Sequence, residues 1–360
     1  MTILIVHLSD IHIHDQSDAI LARPDQIAAS TYSALPDVDA VFIVISGDVA
    51  QSGKEAEYQL ASVFLRSLAA GIREERDVPV HFVIAPGNHD CNFDRDNKMR
   101  QMAVRCLSTD PDAIDDSVVD QCTSIQAEYF AFCKEITDGV FHTGDKLWMS
   151  QSFDIVDKKI VFDAINLSWV SKLNEEQGGI VFPFERYQSK ESESCDARIV
   201  VMHHPMNWHR QNIYRPFRKF VRGIASIVIT GHEHQGNCGE NIDSETGWTA
   251  YIEADVLQDR SDGTKSAFNL VEIDLEGGLY RTTRYDWSED HYGATEEGSW
   301  FDYRNLPTKQ KNIFEIEESF RAQIDDPGAN FGDLAHGKIT LTDIYVFPDL
   351  LTTGVERRST

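Results

Sequence analysis

The chain has 360 residues, 41% of them hydrophobic, and a formal net charge of −26. That length and apolar content suit one large domain with an appendage, while the acidic balance disfavours long, tight tracking of a nucleic-acid backbone. No stretch holds the ~18 consecutive apolar residues of a membrane span, and six scattered cysteines without a CxxC pair fit free thiols in a reducing compartment.

The N-terminus enters an apolar strand at once, with no basic leader or cleavage site, so a cytoplasmic protein is expected. That strand, Ile3 to Leu8, ends in Ser9-Asp10-Ile11-His12. An Asp and a His two apart at a strand end can point the same way and hold one divalent ion. His7, inside the strand, and His14, beyond it, are assigned structural or solvated roles. A helix is predicted over 24–35 with Pro24 near its start.

Val41 to Ile45 is an apolar run rich in β-branched residues that closes on Ser46-Gly47-Asp48. A buried strand delivers a side chain to the end of a sheet in this way. The loop from Val49 leads into a helix reaching about Ala70. Ser52 is its expected N-cap, Glu55 the capping-box partner, and Leu60, Val63, Phe64 and Leu68 its apolar face. Val80 to Ala85 is the third strand, ending in Pro86-Gly87-Asn88-His89-Asp90. Asn88 offers a neutral oxygen ligand, and His89 can reach substrate. This order of strands and helices argues for an α/β layer fold with its site at the strand C-termini.

Residues 94–137 read as an irregular helical insertion, either a cap over the site or a solvated excursion, and His142 beyond it as incidental. A hairpin is predicted from Leu147–Val156 and Ile160–Leu167, turning at Asp157-Lys158. Ala197–Met202 ends in His203-His204-Pro205, and Ile224–Thr230 ends in Gly231-His232-Glu233-His234. Alternating histidines on an extended segment can both face one cavity. Trp248–Glu253, Phe268–Asp274 and Leu279–Tyr285 read as strands closing a second sheet. From Ser288 the composition changes, with a helix expected at 314–324 and a short strand at 340–348. This extension, 288–360, is expected to lead to a further domain or to act as a dimerisation or partner-binding arm. His291 and His336 are expected to be solvated.

Five strand ends thus carry Asp10, His12, Asp48, Asn88, His203, His232 and His234. Oxygen and nitrogen donors without a thiolate suit Mn, Fe, Zn or Mg rather than a structural zinc. The donors exceed what one ion can use, which implies two ions sharing a carboxylate. Trp208, His209 and Arg210 follow the fourth motif and read either as substrate contacts, with Arg210 a phosphate clamp, or as ordinary loop residues.

In that order, Asp-x-His, Gly-Asp, Gly-Asn-His-Asp, His-His-Pro and Gly-His-x-His resemble the motif set of the calcineurin-like metallophosphoesterases, over roughly residues 1–287. Gly47-Asp48-Val49-Ala50-Gln51-Ser52-Gly53, followed by Glu57-Tyr58, is similar to the bacterial cyclic-nucleotide phosphodiesterase and glycerophosphodiesterase branch. The opening His7 to His12 is also similar to double-strand-break repair nucleases. The resemblance implies a catalytic domain over 1–287 that is a four-layer αββα sandwich of two mixed β-sheets. It implies two divalent ions, manganese favoured, the first on Asp10, His12, Asp48 and His234. The second would sit on Asp48, Asn88, His203 and His232, with Asp48 bridging. His89 would donate to the phosphate with Asp90 orienting it, and His204 would be a pocket residue.

The implied activity is hydrolysis of a phosphodiester, a small nucleotide or related compound, by attack of a metal-bridging hydroxide, ahead of phosphomonoester hydrolysis. Two alternatives stand beside it. One is a metal-dependent DNA or RNA nuclease, for which Arg210, Arg215, Arg218, Lys219 and Arg222 supply a local basic patch. The other is a catalytic effector module of a larger multidomain protein. The expected partner is a phosphate ester, with no membrane contact and with a homodimer or fused domain through the extension.

Overall fold

The computed structural model describes residues 1–107, 114–137, 144–234, 236–243 and 247–303. His142, His336 and the helix and strand expected at 314–324 and 340–348 lie outside the described residues.

Strands β1 (Thr2–Leu8) and β2 (Ala40–Ser46) are buried almost throughout, as expected of parallel strands covered on both faces. With β3 (Val80–Ala85) they form a parallel set, connected through α1 (Pro24–Thr31) and α2 (Glu55–Glu75). The segment expected to be helical and irregular contains α3 (Lys98–Leu107), α4 (Asp116–Cys122) and α5 (Ala127–Ile136). The chain then forms the hairpin β4 (Trp148–Ile155) and β5 (Lys158–Ile165), followed by β6 (Ala197–Met202), α6 (Gln211–Ile224) and β7 (Ile227–Thr230). It closes with β8 (Asn237–Asp243), β9 (Gly247–Glu253), β10 (Ala267–Asp274), β11 (Leu279–Ser288), β12 (His291–Glu297) and β13 (Phe301–Asp302).

One sheet runs β12-β11-β10-β1-β2-β3, with β13 pairing β11, and the other runs β4-β5-β6-β7-β9-β8. Both are mixed: β10 is antiparallel to β1, whereas β5, β6, β7 and β9 are mutually parallel and flanked by antiparallel β4 and β8. The sheets pack on each other through apolar side chains; the Phe42 ring lies 4.7 Å from Phe162 and 5.0 Å from Phe153. Ile27, Ala28, Phe64 and Leu65 of α1 and α2 join the same core, while Phe217 and Val221 of α6 pack with Val200 and Val228 of the second sheet. Helices therefore cover two face-to-face mixed sheets, the architecture expected.

Several local expectations shift. α6 was not anticipated, because Pro216 lies inside it and removes one backbone donor. Burial of Ile213, Phe217, Phe220 and Val221 at three- and four-residue spacing favours the helix nonetheless. As Ile224 ends α6, β7 starts three residues later than expected. α2 starts after Lys54 rather than Ser52, because Glu57, not Glu55, reaches back to the Ser52 and Lys54 amides at 2.9 and 3.0 Å. His14 also meets this carboxylate, at 3.2 Å. The hairpin turns one residue early, at Val156-Asp157, with Ile155 paired to Lys158.

Within the insertion, α5 lies against α2, and Tyr129 donates to the Ile84 carbonyl at 2.8 Å. The buried guanidinium of Arg100 donates to the Cys122 and Ser171 carbonyls at 2.8 Å each, tying α3 to the loop after β5. The boundary expected at 287 falls within β11, and the first sheet continues beyond it through β12 and β13. Cys91, Cys122, Cys133 and Cys195 are free thiols, and among the described residues no helix is long and apolar enough to cross a membrane.

Candidate metal centre

Because β1, β2 and β3 are parallel, their C-terminal ends fall on one edge of the first sheet, and β6 and β7 bring theirs to the same place from the second. The turns after β1 and β2 are laced by backbone bonds: Asp10 donates to the Gly47 carbonyl at 3.1 Å, and Ile11 and His12 both donate to that of Asp48, at 2.9 and 3.0 Å. Asp10, His12, Asp48, His232 and His234 all have φ between 51° and 77°. Such a backbone is strained for residues with a Cβ, at roughly 1–3 kcal/mol each, and persists where the surroundings impose it. Two glycines let the side chains nest: a Cβ on Gly47 would lie 2.4 Å from His203 Nδ1, and one on Gly87 would lie 2.0 Å from Asp48 Oδ1.

The donors meet in two overlapping groups around Asp48. Asp10 Oδ1 lies 3.1 Å from His234 Nε2 and 3.7 Å from His12 Nε2. Asp48 Oδ2 lies 4.0 Å from His12 Nε2 and 3.2 Å from His203 Nε2. His203 Nε2 in turn is 3.1 Å from both Asn88 Oδ1 and His232 Nδ1. The Ser46 carbonyl accepts from His203 Nδ1 at 2.8 Å, which turns Nε2 toward these donors. A carboxylate, an amide oxygen and two imidazole nitrogens thus converge with little but lone pairs to share, which fits a cation.

The electrostatics agree. Burial opposes ionisation of Asp48, but His203 holds its carboxyl well below the usual range; Asp10 is buried too and is held low by His234 and His203. Burial would lower His203, yet the Asp48 carboxylate pushes it up to about 10. A proton on His203 Nε2 would offset part of the negative charge that the two carboxylates concentrate here, and a cation bound between them would take that proton's place. Burial pushes His12 and His232 down, so both are the neutral imidazoles that metal ligation needs.

The profile of the calcineurin-like phosphoesterases matches residues 3–236, well over half of the chain. The protein belongs to the calcineurin-like phosphoesterase family. Membership implies divalent metal ions, and the donors described above fit them. Similar solved structures include a purple acid phosphatase from yellow lupin (Lupinus luteus) seeds, at 11% identity and TM-score 0.45, covering 85% of this chain; the chain spans only 55% of that enzyme. A phosphatase from Mycoplasma pneumoniae has 14% identity and TM-score 0.40, covering 85% of this chain and 95% of its own. The phosphopantetheinyl hydrolase of Mycobacterium tuberculosis has 11% identity and TM-score 0.35, covering 70% and 88% respectively. No curated protein sequence matches the chain.

In this phosphoesterase all seven expected donor residues meet at one place. His89 joins them: its ring lies 4.7 Å from that of His12, and its amide donates to Asp48 Oδ1 at 2.8 Å. Its Nδ1 meets the Gln51 carbonyl at 2.8 Å, so Gln51 holds the ring, not Asp90 as expected. Asp90 instead accepts from the Gly87 and Ala50 amides at 2.9 and 3.1 Å and from the Tyr58 hydroxyl at 2.9 Å, stapling the loops after β2 and β3 together. Burial, then the Asp48 charge, pushes its carboxyl up to about 6.

His204 is buried beside the cluster, 4.4 Å from the His232 ring, with Nε2 on Glu175 at 2.8 Å. Trp208 packs edge-on to His232 at 4.2 Å, and its indole donates to Glu233 at 2.8 Å. His209 is not a pocket residue. It is buried with its ring 4.3 Å from Phe217 and its Nδ1 on the Met206 carbonyl at 3.0 Å, and burial pushes it down to about 3. Arg210 opens α6, its amide donating to the Ile180 carbonyl at 3.0 Å. Gln51 and Glu175 escaped the sequence reading; Gln51 was legible only as part of the run after Asp48, and Glu175 had no motif around it. His7 is buried on Ser46 at 2.9 Å, the structural role expected.

Proposed function

We propose that the protein hydrolyses a phosphodiester, a small nucleotide or related compound, as in the bacterial cyclic-nucleotide and glycerophosphodiesterase branch of its family. The observation that carries this is the convergence of Asp10, Asp48, Asn88 and four imidazoles around the shared Asp48 carboxylate. Asp10, His12, Asp48 and His234 would hold one ion, and Asp48, Asn88, His203 and His232 a second, manganese favoured. When bound, such ions supply positive charge that polarises the phosphoryl group and renders a water acidic enough to attack at neutral pH.

The chain's own residues do the rest. With Nδ1–H on the Gln51 carbonyl, His89 keeps Nε2 for the substrate, where the doubly protonated ring would stabilise charge on the phosphoryl oxygens or give its Nε2 proton to the departing alkoxide. The reaction requires no covalent enzyme intermediate, because the attacking oxygen would be supplied by that water. Residues that carry the branch resemblance serve this arrangement: Gln51 holds His89, Glu57 holds the loop and Tyr58 holds Asp90.

The test is hydrolysis of bis-p-nitrophenyl phosphate beside p-nitrophenyl phosphate by manganese-loaded protein. Diester turnover abolished by a chelator is the expected result; turnover of the monoester alone would overturn it. The nuclease reading keeps one observation in its favour, the Arg215, Arg218, Lys219 and Arg222 side chains carried by α6. Steeply salt-dependent DNA binding would promote it.

A further inference from the structure

A groove of about 530 Å3 opens beside the donor cluster, between α6, the turn after β6 and the ends of β7 and β9. It is joined to the cluster through the chain itself, because Glu233, on its wall, stands between His232 and His234. Its volume suits a group of nucleotide size.

One wall is cationic. Tyr214, Arg218 and Arg222 recur every four residues along α6, so they share a face, and all three line the groove. Arg218 is fixed in place: its Nη1 donates to the Tyr214 hydroxyl at 2.9 Å, and its guanidinium lies 4.9 Å from the centre of the Tyr214 ring. Among the described residues Arg218 forms no ion pair. In a chain with a net charge of −26, carboxylates are plentiful, so an immobilised guanidinium without one has its charge uncompensated. The other wall carries Glu233, which repels an anion and confines it to the α6 side, and Glu253, whose carboxyl burial pushes up to about 7. Arginine's planar fork matches a phosphate better than any other cationic side chain does.

We propose that this groove binds a second phosphate of the substrate, with Arg218 its anchor and Arg222 beside it. The substrate class is then a phosphoester that carries a further phosphate on its alcohol portion, of nucleoside bisphosphate size. The placing of the scissile phosphate at the donor cluster rests on the hydrolase reading above.

The test uses probes whose C–P bonds resist hydrolysis. Calorimetric titration of the manganese-loaded full chain compares alkane-α,ω-diphosphonates of increasing length with alkylphosphonates of the same length. At a matching length the diphosphonate is expected to bind about tenfold tighter, the scale of one charged hydrogen-bonded contact. Arg218→Gln is expected to bring that ratio within about twofold of one. The thermal unfolding midpoint is measured alongside; if Arg218→Gln lowers it, Arg218→Lys, which keeps charge but loses the fork, should give an intermediate ratio. A ratio of one at every length in the unaltered protein, or a preference that survives Arg218→Gln, overturns the proposal. Failure of the hydrolase reading is separable: a diphosphonate preference without diester turnover leaves the groove standing, and turnover without preference removes the groove alone.

Discussion

Asp48 links the two groups of the candidate centre: one carboxylate oxygen accepts from the His89 amide and the other faces His203 and His12. Asp48→Asn keeps the shape but removes the negative charge at the shared position, and His89→Ala removes the ring that Gln51 holds. Each is expected to lower diester hydrolysis about 100-fold or more with a native circular dichroism spectrum; retained turnover in both, after fresh metal loading, would refute the assignment. At this scale the sequence was most informative where residue type and strand end coincided, which is why all seven donors were legible. His209 shows the limit. Its imidazole was visible beside the fourth motif, but its burial against Phe217 depends on α6 packing, which no short pattern encodes. Glu175 is the converse, one of two adjacent acids in a loop that becomes significant only when the chain brings it to His204.

Among the elements, the parallel strands were legible because both faces are covered and their sequences are apolar throughout. α6 was not, since Pro216 argues locally against a helix that tertiary burial then imposes. A polar feature of the second sheet was equally hidden: Arg198 on β6 and Asp163 on β5 form a buried ion pair at 2.7 Å. Removing one partner strands the other charge in the core, so Arg198→Met should cost about 3–5 kcal/mol. The double variant Arg198→Met with Asp163→Leu should recover most of that loss. Urea unfolding of the single and double variants measures both, and an unchanged single variant would show that the pair contributes nothing.

For the molecule as a whole, the acid limb of stability has an identifiable source. Burial pushes both His7 and His209 from an ordinary 6.5 down to about 3, so the fold keeps them neutral where the unfolded chain takes up protons. Their stabilisation is complete above pH 6.5 and is lost as pH falls from there toward 3. The slope is up to about 1.4 kcal/mol per pH unit for each imidazole. His209→Phe, which suits a ring site beside Phe217, should remove one share. Denaturant unfolding at pH 7 and pH 5 then gives a smaller difference for the variant than for the unaltered protein; equal differences would exclude His209 as a source. The α/β layering was legible at this scale from the order of strands and helices and the two-sheet sandwich from the family resemblance, whereas the continuation of the first sheet into β12 and β13 was not, because those edge strands are mostly exposed and polar.

The split of the donors between two sheets also orders events in time. Asp10, His12, Asp48 and Asn88 lie within the first 90 residues, and His203, His232 and His234 only after residue 200. As the chain leaves the ribosome, an oxygen-rich half appears early and waits, with a single imidazole, for most of a domain to be synthesised. Oxygen donors alone favour hard, weakly discriminating ions, while the three imidazoles that favour transition metals arrive last. A preference for a transition metal is therefore expected only of a chain that extends past β7, and a chain ending before residue 200 should show none.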